Sequence, residues 1–125
     1  MSGKSIAARR RAAERRGRTS EIVAALVLMA KGYRILARRH RTPLGEIDLI
    51  AVRGRRLAFV EVKLRATIDD AHASIGDRQA ERIANAAEQW VWRHPRYRDY
   101  EIGLDAILLA PGCWPRHEPN ALQPD

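Results

Sequence analysis

The chain has 125 residues, one cysteine, 46% hydrophobic residues and a net charge of +8. That length suits one domain with one modest core, and the apolar content excludes a disordered chain. The longest apolar run, Ile22 to Ala30, is nine residues, less than half of what a membrane-spanning helix needs. Lone Cys113 excludes an internal disulfide and, with no second thiol beside it, a cysteine zinc centre; a reducing, cytoplasmic setting is the expectation.

Charge is unevenly distributed: residues 1–18 carry +6, residues 19–65 another +6 and residues 66–125 carry −4. A basic first half suits a polyanionic partner, because neutralising phosphates releases counterions. Residues 1–18 read as a flexible basic arm, with transient helix over Ser5 to Arg16 and Gly17 as punctuation. A helix is expected from Ser20 to Lys31, capped by Thr19 or Ser20 and ended by Gly32, with Ile22, Ala25, Leu26 and Met29 forming its buried face. Tyr33 to Arg39 alternates as a first strand. Glu46 to Arg53 and Arg56 to Leu64 form a hairpin about a Gly54-Arg55 turn. Ala66 to Gly76 reads as a polar loop. Asp77 to His94 is a second amphipathic helix, buried through Ala80, Ile83, Ala84, Ala87 and Val91, and Pro95 stops it. Ile102 to Leu109 is a last strand, and residues 111–125 are a Pro-rich irregular tail. The expected fold class is α/β: one domain over residues 19–110, α-β-β-β-α-β, with a mixed sheet flanked by helices.

The chemistry concentrates in Gly45-Glu46-Ile47-Asp48-Leu49-Ile50 and Phe59-Val60-Glu61-Val62-Lys63. Acids are depleted in strand interiors, and charge on a half-buried surface needs compensation, which a cation supplies. A two-residue turn sets Asp48 opposite Glu61 and Glu46 opposite Lys63, with opposed Cβ atoms about 5 Å apart on one face. An odd-length turn would separate them. Asp48 and Glu61, with the carbonyl of Val62, are then hard oxygen ligands for Mg²⁺ or Mn²⁺. Lys63 would hold an attacking water or offset charge on a phosphate. Plain cross-strand ion pairs explain the same residues without any metal. Arg38, Arg39, Arg41, Arg53, Arg55, Arg56 and Arg65 are expected to flank the site and hold phosphates without reading sequence.

These phrases resemble the PD-(D/E)XK nuclease superfamily, and most of all its bacterial YraN branch, whose Gly-Glu-Ile-Asp-Leu-Ile and Phe-Val-Glu-Val-Lys-Leu-Arg they match from about Thr19 to Ala110. The resemblance implies a restriction-endonuclease-like fold and a metal-dependent, Holliday-junction-resolvase-like endonuclease. Its metal acid falls on Asp48 and its Glu-x-Lys on Glu61 and Lys63. It also implies a first-helix acid at Glu21 and a second-helix contact at Gln79. The branch usually carries Arg-Phe-Asp in the last strand, where this chain has Gly103-Leu104-Asp105; Asp105 is expected to be structural. The implied partner is DNA, branched or with ends, cut by a homodimer or after activation by a protein partner. The alternatives are a non-catalytic nucleic-acid-binding module and a basic interaction protein.

Overall fold

A computed structural model describes residues 5–123. The elements run α1 (Ile6–Ala30), β1 (Arg34–Thr42), β2 (Gly45–Arg53), β3 (Arg56–Leu64), α2 (Ile68–Ala73), α3 (Asp77–Arg93), a short 3₁₀ turn (Pro95–Tyr97), β4 (Glu101–Leu109) and β5 (Arg116–Glu118). The expected α-β-β-β-α-β core is present, with α2 and β5 added. The strands form one mixed sheet in sequence order, β1-β2-β3-β4-β5. Only β3 and β4 are parallel, as the α2–α3 crossover between them requires. None of the described helices is long and apolar enough to cross a membrane.

Several expectations need correction. Ala66 to Gly76 is not all loop, since α2 occupies Ile68–Ala73 with Thr67 as its cap. The basic segment is not a separate arm: α1 runs unbroken through Gly17, so residues 6–18 are its first half. Residues 1–4 of the expected arm, and 124–125 of the expected tail, lie outside the described residues. Ala and Arg are strong helix formers, and they outweigh one interior glycine, which disfavours helix by about 1 kcal/mol. The cap is Ser5, whose Oγ accepts the Ala8 N–H at 3.1 Å. Ser20 instead turns its hydroxyl back to the Arg16 carbonyl at 2.8 Å. The buried face of α1 also differs: Ala24, Ala25 and Leu28 are buried, while Ile22, Leu26 and Met29 are about half exposed. Residues 22–30 are apolar on all sides, so periodicity could not select the side. Finally, the tail is not wholly irregular, since β5 pairs antiparallel with β4 through Ala106↔Glu118 and Leu108↔Arg116.

The end of α1 follows sequence closely. Gly32 takes φ +94°, its N–H bonds the Met29 carbonyl, and the Tyr33 N–H bonds the Leu28 carbonyl at 3.0 Å. Those are the two bonds of a Schellman ending, which glycine favours. At the hairpin, Gly54 takes φ +58° and Arg53 faces Arg56, the expected register.

The sheet separates two apolar layers. Under α1, Ala24 and Leu28 meet Leu49, Ala51, Ala58, Val60 and Ile107. Under α3, Ile83, Ala87 and Trp90 meet Ile50, Leu57, Phe59 and Leu108. Alternation along β3 sends Leu57 and Phe59 to α3, and Ala58 and Val60 to α1. Phe59 is fully buried, edge-on to Trp90 at 5.7 Å; truncating such a side chain costs about 3–5 kcal/mol. Trp92, two residues along α3, is 84% exposed.

Candidate active site

The β2–β3 ladder runs from Arg53↔Arg56 to Leu49↔Val60 and stops there. Continued by one step, it would set Asp48 opposite Glu61. Instead the Asp48 carboxylate enters the ladder: its Oδ2 accepts the Val62 N–H at 2.8 Å. The strands therefore part where the acidic residues sit, and the separation leaves a cavity of about 300 Å³ lined by Gly45, Glu46, Asp48, Glu61, Gln79 and Arg82.

Glu46, Asp48 and Glu61 line this cavity, and Glu21 stands beside Glu46 and Asp48. Carboxylate oxygens of Glu21, Glu46 and Asp48 lie within 4.8 Å of one another, close enough for one metal ion to be held among them. Glu21 comes from α1, one turn beyond Gly17, with its side chain only 12% exposed. Glu61 approaches from β3. Alternation puts Glu61 on the α3 side of the sheet, where Gln79 Nε2 donates to its Oε1 at 2.8 Å. Lys63 projects to the same side, with Nζ 3.6 Å from Glu61 Oε1. Both partners of that pair are nearly buried.

The electrostatics are those of a site short of positive charge. Burial pushes the Asp48 carboxyl up to about 6; the Val62 N–H opposes this, and the charges of Glu21 and Glu46 add to it. Burial likewise pushes Glu61 up to about 7, with the Asp48 charge adding and Lys63 opposing. Carboxylates that burial and like charge hold near neutrality lose that penalty when a cation shares them. The donor set is all oxygen, which fits a hard divalent ion such as Mg²⁺ or Mn²⁺.

Two arginines touch this cluster. Arg39 Nε donates to both Glu21 oxygens at 2.8 Å. Its backbone has φ +51°, and it falls between the pairs Arg38↔Leu49 and His40↔Ile47, beside Asp48. Arg41 Nε reaches Glu46 Oε2 at 3.2 Å. Arg38 is exposed on the same strand, and Arg65 is exposed just past Lys63. Arg82, which sequence reasoning did not single out, lines the cavity; its spacing of three residues from Gln79 on a helix was the available signal. Glu46 was read as a strand acid without a ligand role, and the structure adds it to the acidic group.

Arg53, Arg55 and Arg56 do not flank the site. They lie at the hairpin end of β2 and β3, and Arg56 is five residues of strand, about 17 Å, from Glu61. Their guanidiniums are engaged there. Arg53 lies 4.6 Å over the Tyr33 ring and Arg55 4.9 Å over Tyr100. Arg56 pairs in two-pronged fashion with buried Asp105, at 2.7 and 2.8 Å.

Asp105 is structural in its contacts, as expected. It also accepts the Asn120 N–H at 2.9 Å and lies 2.9 Å from His117 Nε2, so it ties β3, β4 and β5 together. Burial alone would raise its carboxyl; Arg56, His117 and the Asn120 N–H hold it down at about 2. Gly103 explains the departure from Arg-Phe-Asp. A Cβ there would collide with the Arg56 guanidinium, so Arg56 fills the space beside Asp105 that the glycine leaves.

A larger groove lies elsewhere. It measures about 920 Å³, runs between α3 and the start of β4, and is lined mainly by apolar residues such as Leu44, Val91, Trp92 and Ile102. The acids converge in the smaller cavity, which is where the chemistry is to be sought.

A model described as "Uncharacterised protein family UPF0102" matches residues 20–109. A UPF0102 protein of Rhodopseudomonas palustris (strain BisB18) is 54% identical over 110 residues, 88% of this chain and 82% of its own. One from Methylorubrum extorquens (strain PA1) is 53% identical over 116 residues, 93% of this chain and 91% of its own. "UPF0102 protein bll0669" of Bradyrhizobium diazoefficiens is 53% identical over 106 residues, 85% and 80% respectively.

Proposed function

The chain belongs to the UPF0102 (YraN) family, and from that premise we propose that it is a metal-dependent nuclease hydrolysing phosphodiester bonds in DNA. One observation carries the reading: Glu21, Glu46 and Asp48 share one point in space beside the Glu61–Lys63 pair, where β2 and β3 part. A surface ion pair needs no such gathering: Arg39, Arg41 and Lys63 each meet one of the acids, but Asp48 forms no ion pair among the described residues, and a buried carboxylate among like charges favours a bound cation.

Asp48, Glu21, Glu46 and Glu61 would hold Mg²⁺ or Mn²⁺. When bound, such an ion supplies a Lewis acid for a phosphoryl oxygen and makes water a better nucleophile at neutral pH. The chain's own groups do the rest. The Val62 N–H fixes the Asp48 carboxylate, and Gln79 fixes Glu61. The Val62 carbonyl stays as a backbone ligand of the proposal. Lys63, whose Nζ lies 3.6 Å from Glu61, would orient water or offset charge on the phosphate. Arg38, Arg41, Arg65 and Arg82 border the acids and would take neighbouring phosphates. The described residues contain no groove-reading helix-turn-helix, which supports selection by DNA shape. Cutting both strands of a branch needs two sites, hence a homodimer.

The test is cleavage of labelled linear, nicked, flapped and four-way-branched DNA in Mg²⁺, Mn²⁺ or chelator, with Asp48→Asn and Lys63→Ala proteins in parallel. Metal-dependent cutting lost in both variants is the expected result. Absence of cutting under every condition, with DNA binding intact, would replace this reading by a nucleic-acid-binding module.

A further inference from the structure

The first half of α1 is a dense run of arginines, and nothing in the site so far uses it. Arg9, Arg10, Arg11, Arg15, Arg16 and Arg18 are all exposed. Because α1 is continuous through Gly17, these charges are rigidly connected to Glu21 in the acidic site. At about 100° per residue, the six arginines divide into two sets. Arg10, Arg11 and Arg18 lie within about 80° of Glu21 around the helix axis, and Arg9, Arg15 and Arg16 lie at least about 120° away.

Gly17 lies on the Glu21 side too. The Arg39 guanidinium passes close by, 3.9 Å from where a Cβ on Gly17 would stand, an ordinary van der Waals distance. Arg39 thereby continues the basic row to the site. From Arg10 to Glu21 the helix rises about 16 Å, or about five base-pair steps at 3.4 Å each.

We propose that the Glu21 side of this half-helix, formed by Arg10, Arg11 and Arg18 with Arg39 seated at Gly17, binds the phosphate backbone of duplex DNA leading into the acidic site. The inference rests on the nuclease reading for what happens at the end of that path, and adds the direction from which the duplex enters. Two features favour a duplex. Ile6 is the only large apolar residue between Ser5 and Glu21, so the segment has no face to insert into lipid. It also has no aromatic ring on which an unpaired base could stack. Glu14 is on the same side, so its charge works against the surface.

Two triple variants of equal charge test it: Arg10, Arg11 and Arg18 to Ala, and Arg9, Arg15 and Arg16 to Ala. Both substitutions favour helix, which circular dichroism checks. Binding of a labelled duplex of about 30 base pairs is measured by anisotropy between about 50 and 200 mM salt. Chelator is present, so hydrolysis does not enter the readout. The Glu21-side triple should lose tenfold or more in affinity, and its salt slope should fall by about 3, at about 0.9 per phosphate contact. The opposite triple should lose less than threefold, and Glu14→Gln should bind more tightly than the parent chain. Equal losses in the two triples, or stronger binding to single strands or anionic vesicles than to the duplex, overturn the proposal. Side-dependent binding by a chain that never cuts would refute the nuclease reading and leave this surface standing. Cutting with no side dependence would do the reverse.

Discussion

Replacing Asp48 by Asn should stabilise the protein above neutral pH. Burial and the charges of Glu21 and Glu46 raise the Asp48 carboxyl from 3.8 to about 6. The folded chain therefore keeps a proton that the unfolded chain has released, and stability falls as pH rises from about 4 to about 7. A rise of about two pH units corresponds to about 3 kcal/mol. Asparagine removes the charge but keeps an oxygen for the Val62 N–H. It also relieves Glu61, which the Asp48 charge helps to raise. The expected gain for Asp48→Asn is about 2–3 kcal/mol at pH 8, shrinking to about 0.5 kcal/mol near pH 4, where the parent's Asp48 is protonated when folded and partly so when unfolded. The assay is urea unfolding in chelator, followed by tryptophan fluorescence at several pH values, with an unchanged denaturant slope as the check on two-state behaviour. Adding Mg²⁺ or Mn²⁺ should stabilise the parent chain, because a ligand of the native state does so by mass action. The variant should gain much less. An Asp48→Asn protein no more stable than its parent at pH 8 would refute the claim that the acids are held together against their own repulsion.

Asp105→Ala should destabilise by about 3 kcal/mol or more, since it strands the nearly buried Arg56 guanidinium without a partner, and should leave metal binding intact. Because Asp105 is depressed to about 2, this deficit should persist down to about pH 4 and narrow only as pH falls further toward 2; chemical denaturation across that range reads it. Gly103→Ala should cost about 1–3 kcal/mol, measured the same way, because the new methyl meets a guanidinium pinned by two bonds to Asp105. A neutral Gly103→Ala would mean that Arg56 can move aside.

Sequence by itself determined the elements whose signals are local. Alternation marked β2 and β3 and put Glu61 and Lys63 on one face, Gly32 marked the end of α1, and Gly54-Arg55 set the hairpin register. The motif Gly45 to Ile50 with Phe59 to Lys63 was enough to nominate Asp48, Glu61 and Lys63, because charge inside an apolar strand is conspicuous in one dimension. The family resemblance pointed to Glu21 and Gln79 as well, but only the tertiary structure shows that they meet Asp48 and Glu61, and adds Glu46 and Arg82. Glu21 reaches Asp48 only because α1 packs beside the parted end of the β2–β3 ladder, whereas Glu46 lies two residues from Asp48 on the same strand; Gln79 and Arg82 arrive because α3 covers the other face. The same packing took Arg53, Arg55 and Arg56 away from the acids. Nearness along the chain suggested that they flank the site, but a hairpin turns its loop away from the strand ends, and buried Asp105 captured Arg56. The side on which α1 is buried was likewise undecided in a segment apolar all round, until Leu49, Val60 and Ile107 supplied the surface for Ala24 and Leu28 to meet. Local periodicity is written into the chain, whereas the partners of a charge depend on which distant elements folding brings within a few ångströms.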